Sequence, residues 1–153
     1  MSAHADAAQL VLDALASGAV EVLDELHARD YVDHSPLPGQ STDVTGLRER
    51  AMELSSALVD TRVHTDVLVD YGDTVVCSTR TVGVHKGSFL GVAATDRRIE
   101  MTGLTVFRFV DGLITETWSS FEVLGMFDSL TSGPRISLSN LVPAPRLASV
   151  ASF

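Results

Sequence analysis

From Ala7 to Arg29 the apolar residues Leu10, Val11, Leu15, Val22, Leu23 and Leu26 recur near helical spacing. This pattern predicts helix. Ser17–Gly18 interrupts it and predicts a break into two helices. Tyr31 to Gln40 carries Pro36, Pro38 and Gly39 and reads as a loop. A further helix is expected from Val44 to Leu58. Thr45 is its candidate N-cap, and Leu47, Met52, Leu54 and Leu58 form its apolar stripe.

Beyond this helix the period changes to two. Val63, Thr65, Val67 and Val69 fall on one face of a strand, and His64, Asp66, Leu68 and Asp70 on the other. Tyr71–Gly72–Asp73 turns the chain into a second strand, Thr74 to His85. Lys86 to Asp96, with Gly87 and Gly91, is a loop. Arg98 to Val110 and Ile114 to Phe121 are strands around Asp111–Gly112, a strong hairpin signal. Helices first and an antiparallel meander after them predict an α+β fold. A curved sheet closed by N-terminal helices encloses a pocket for a small ligand.

Composition narrows the choices. The chain has 153 residues, the size of a single domain, and 45% of them are hydrophobic. Its formal net charge of −9 argues against nucleic acid, which demands clustered Lys and Arg. Cys77 is the only cysteine, so no internal disulfide can form. It lies in the apolar run Thr74–Val75–Val76–Cys77 and reads as a small buried hydrophobe. No apolar run reaches the ~18 residues of a membrane span. The start, Met1 to Asp6, lacks the basic character of a signal peptide, so a cytoplasmic protein is expected. No His or Glu cluster has metal-ligand spacing, and neither metal nor cofactor is expected. His4, His27 and His64 read as exposed.

Three stretches carry a resemblance. One is Tyr31–Val32–Asp33–His34 followed by Pro36, after the paired helices. The second is His85–Lys86–Gly87–Ser88–Phe89–Leu90–Gly91, leading into Thr95–Asp96–Arg97–Arg98. The third is Phe107 to Ile114, followed by Trp118 and Phe121–Glu122–Val123–Leu124–Gly125. In order and spacing they resemble the SnoaL-like polyketide cyclase family, within the NTF2-like superfamily of scytalone dehydratase and ketosteroid isomerase. The resemblance implies a domain over residues 1–130 and a C-terminal extension over 131–153. It implies a cone-shaped α+β barrel, a homodimer or higher homo-oligomer, and a small hydrophobic or aromatic substrate. It also implies cofactor-free acid/base chemistry of secondary metabolism: intramolecular ring closure or isomerisation, or opening of an epoxide to a cyclic ether or by water. A binding protein without catalysis is the alternative, because fold alone does not select a chemistry.

The family's pattern assigns roles to particular residues. Its aldol cyclases place an acid/base Asp where this chain has Ser119, and an assisting His where it has Thr105. Neither replacement is a base at neutral pH without activation. A bulged loop at Asp111–Gly112–Leu113 would pair Thr105 with Ser119 on one face, together with Phe107, Phe109, Thr117 and Phe121. Arg108, Glu116, Trp118 and Glu122 then fall on the other. Glu122 is the first candidate acid/base, provided that the strand's end aims it at the cavity. Tyr31, Asp33 and His34 are candidates to orient or protonate the reacting oxygen. Thr105, Phe107, Trp118, Ser119 and Phe121 are candidates for substrate binding. His85 joins them at the pocket mouth, and so does Arg108, whose other reading is a salt bridge to Glu116.

Overall fold

The computed structural model describes residues 2–122. The expected α+β class is what it shows. Helix α1 spans Ala3–Ser17 and is capped by Ser2, whose Oγ accepts from the Ala5 amide at 3.1 Å. Gly18 ends it in the left-handed conformation, at φ 80°, where a side chain is disfavoured. Helix α2, Val20–Leu26, follows at once. Helix α3 covers Val44–Ala57, and its N-cap is Asp43, not Thr45. A hydrophobic cluster lies between helices and sheet, with Leu23, Leu47, Val75, Phe107, Phe109 and Ile114 at its centre.

Among the described residues the sheet has five strands, in the order β1-β5-β4-β3-β2. Their ranges are β1 His27–Asp33, β2 Leu58–Tyr71, β3 Thr74–His85, β4 Arg98–Val110 and β5 Leu113–Phe121. All neighbours are antiparallel except β1 and β5, which run parallel. The first strand corrects the sequence reading, which gave helix to Arg29 and a loop from Tyr31. A seven-residue strand with burial at His27, Tyr31 and Asp33 carries too few alternations to stand out after two helices.

Two of the sheet's register shifts reset the faces. Thr65 pairs with Thr79 but Val67 pairs with Ser78, so Asp66 is the inserted residue. Leu68 therefore packs on the core while Val67 and Val69 are exposed, against the strict alternation expected. At the other hairpin, Asp111 and Gly112 both have positive φ, 50° and 81°, and close a two-residue turn. The bulge expected there lies instead at Thr115, because Phe109 pairs with Ile114 and Arg108 with Glu116. Thr105 opposes Ser119, the expected pairing.

Candidate active site

Between the helices and the facing side of the sheet lies a cavity with about 960 Å³ of empty space, the open solvent at its mouth included. The helices contribute aliphatic wall: Leu12, Leu15, Leu47 and Leu54. The strands contribute hydroxyls: Thr61, Thr79, Thr81, Thr105, Thr117 and Ser119. Phe107 and Phe121 complete that side. The lining is predominantly apolar, with these hydroxyls confined to the sheet side, as suits a hydrophobic ligand with few oxygen substituents. Thr105 and Ser119 share a hydrogen bond of 3.2 Å within the wall.

Ionisable groups gather at the β1 end. His27 is the last-turn cap of α2, only 6% exposed, and its ring lies in the cavity wall. Its Nδ1 is 2.7 Å from the Leu23 carbonyl oxygen. A carbonyl can only accept, so Nδ1 carries the hydrogen and Nε2 of the neutral ring carries a lone pair. Nε2 has no partner among the described residues, although buried acceptors ordinarily have one. Burial lowers the His27 pKa from its usual 6.5, partly offset by the Leu23 bond and the charges of Asp24 and Asp33. The imidazole therefore stays neutral and basic near pH 7.

Tyr31 stands edge-on to His27, ring centroids 4.5 Å apart. Its hydroxyl shares a hydrogen bond with Thr117 Oγ1 at 2.5 Å. Burial raises the phenol's pKa well above its ordinary 10.0, so it remains a proton donor. Behind it, Asp33 and Arg50 form a buried ion pair, 2% and 4% exposed, with Nη2 donating to Oδ2 at 2.8 Å. The second oxygen of Asp33 accepts from the Ser35 amide at 2.8 Å. Arg50 reaches the cavity wall, and Asp33 stands behind it.

Of the expected residues, Tyr31, Thr105, Phe107, Ser119 and Phe121 line the cavity, while Asp33 is buried behind Arg50 and does not. Other expected residues lie elsewhere. Glu122 is exposed and accepts from Thr102 Oγ1 at 2.9 Å, so its carboxylate does not line the cavity. No bulge turns the end of β5 inward. His34 is exposed, stacks on Trp118 at 4.5 Å and bonds Glu116 at 2.8 Å. Arg108 pairs with Glu116 at 3.6 Å and covers Trp118 at 5.4 Å. His34, Arg108 and Trp118 are thereby placed on the outer face of the sheet, the face that strand parity gave to Arg108 and Trp118. His85 is fully buried, not at the mouth, with Nδ1 accepting from the Thr95 amide at 3.2 Å. Cys77 is buried as expected, and burial raises its thiol pKa to about 11.

His27, expected to be exposed, is buried in the cavity wall, and Arg50, which the sequence did not single out, lies there with it. Arg50 did leave a signal: with Leu47, Ala51 and Leu54 it occupies the apolar stripe of α3, where an arginine must be paired. His27 left none, because its exposure depends on where helix gives way to strand. His4, also expected to be exposed, is half-buried, stacks on Phe109 at 4.2 Å and bonds the Gly72 carbonyl.

Comparison with known proteins is consistent with this architecture. None of the curated proteins matches the chain. IdmH from Streptomyces antibioticus, a proposed polyketide cyclase, is 30% identical with a TM-score of 0.72, over 83% of this chain and 97% of that one. TsrD from Streptomyces laurentii is 26% identical with a TM-score of 0.71, over 82% and 95%. AclR from Streptomyces galilaeus, a proposed hydroxylase, shares the fold at 18% identity and a TM-score of 0.77, over 96% and 92%. The helices and mostly antiparallel sheet are those of the NTF2-like fold. The sequence profile of the SnoaL-like polyketide cyclases matches residues 5–130, and this chain belongs to that family.

Proposed function

We propose that the protein uses its own side chains to move a proton at carbon in a small, hydrophobic, carbonyl-bearing substrate, the first step of an intramolecular ring closure. The observation that carries this reading is His27. A neutral imidazole is held by a main-chain bond in one tautomer, and its basic nitrogen is left unpaired in the wall of an apolar cavity. That is the arrangement a general base requires. It replaces the carboxylate that the family's aldol cyclases carry at the position of Ser119. Tyr31, protonated and next to His27, supplies the proton that the closing oxygen takes up.

The test uses β-tetralone, an activated ketone of bicyclic size, with deuterium exchange at its α-carbon followed by NMR in deuterated buffer. The wild type should accelerate exchange. His27→Gln should lower the rate about 100-fold, the scale of general acid/base catalysis, with the fold intact by circular dichroism. Added imidazole should restore part of the rate to His27→Ala. Unchanged exchange in His27→Gln would dismiss the reading.

One observation favours a second chemistry. A phenol that stays protonated beside a neutral imidazole can also open an epoxide, Tyr31 protonating the oxygen while His27 activates a hydroxyl or water. Styrene oxide consumption should then fall at least about tenfold in Tyr31→Phe. A wild type inert to the epoxide removes this alternative.

A further inference from the structure

Arg50 has a role that its bond to Asp33 does not exhaust. Its Nη2 donates to Asp33 at 2.8 Å and to the Ser35 carbonyl at 3.4 Å, and its Nε donates to Gln40 Oε1 at 3.4 Å. Nη1 has no partner among the described residues, and the side chain belongs to the cavity wall. Arg50 is also the one permanent charge among the described lining residues, and Asp33 cancels it from behind. A guanidinium whose charge is balanced gains little from a carboxylate that must shed its hydration to enter the cavity. It gains more from an oxygen on which charge develops during reaction, where a preorganised donor in a low-dielectric wall is most effective.

We infer that Arg50 is a catalytic residue that holds the carbonyl oxygen of a neutral ketone as it becomes an enolate, and that the substrate's reacting head is a ketone, not a carboxylic acid. This rests on the proton-transfer reading. The α-carbon's C–H bond breaks and the proton passes to His27 Nε2. The electron pair moves to the carbonyl oxygen, whose negative charge is met by Arg50 Nη1. In ring closure the same pair returns to form the new carbon–carbon bond, and the second carbonyl's oxygen takes a proton from Tyr31. Asp33 is a positioning residue: it orients the guanidinium and keeps it from capturing anions.

The probe is para-nitrophenol, an enolate mimic whose absorbance reports its ionisation. Bound to the wild type, its pKa should fall by about one unit or more, a tenfold preference for the phenolate. The variant R50M/D33N removes both charges together, and there the shift should vanish. His27→Gln should keep the shift while losing β-tetralone exchange, which separates this inference from the base assignment. Asp33→Asn leaves the guanidinium uncancelled, so β-naphthoate should bind at least about tenfold more tightly than to the wild type, an effect that loss of structure would not produce. The inference is overturned if the phenol shift is absent from the wild type or survives in R50M/D33N. It is equally overturned if the wild type already prefers β-naphthoate to para-nitrophenolate by tenfold.

Discussion

Arg50 and Asp33 show how one buried pair serves stability and site together. Removing a single partner leaves the other charge uncompensated, at a cost of about 3–5 kcal/mol. Arg50→Met should therefore lower the unfolding free energy by about that amount in urea titration, and R50M/D33N should regain most of it. His27 acts in the opposite electrostatic sense. Its folded pKa is depressed below 6.5, so the unfolded chain binds its proton first as pH falls. Its contribution to stability is complete above about 6.5 and is lost as pH drops through the folded value. The rate of β-tetralone exchange should rise with pH along a limb whose midpoint lies below 6.5, and then level off. A midpoint above 6.5 would show that another group is the base.

At the scale of elements, small strand features decide what the cavity contains. Gly103 of β4 sits beneath the Phe121 ring, and a Cβ there would stand 2.7 Å from it. Gly103→Val should displace Phe121 from the wall and destabilise the fold by about 1–3 kcal/mol, the cost of overpacking, read as a drop in Tm. The bulge at Thr115 restores the parity that sends Thr105, Thr117 and Ser119 inward and Arg108, Glu116 and Trp118 outward. Strand β1 is the element least legible in the sequence. Among the described residues it pairs on one edge only, in parallel with β5, and its partner lies more than eighty residues away. Its three buried residues still place the imidazole, phenol and carboxylate on one side.

At the scale of the whole molecule, the two layers divide the labour. The helices supply aliphatic wall, and the sheet adds hydroxyls to a lining that is apolar for the most part. Ala16 of α1 lines the same space. Ala16→Trp should fill part of the cavity and weaken para-nitrophenol at least about tenfold, by isothermal titration, while the circular dichroism spectrum stays unchanged. The C-terminal extension expected over residues 131–153 lies outside the described residues.

The class of fold, the hairpins and the inward facing of Thr105, Phe107, Ser119 and Phe121 were legible in the amino-acid order alone. These follow from hydrophobic period and turn chemistry, which are local. The family pattern also pointed to Tyr31, which lines the cavity, and to Asp33, which lies behind Arg50 and outside the lining. Only the tertiary structure decided that Glu122 and His34 face away and that His27 and Arg50 face in. Those outcomes depend on where a helix ends, where a strand bulges and which charge lies behind another, and each is set by residues distant in the chain.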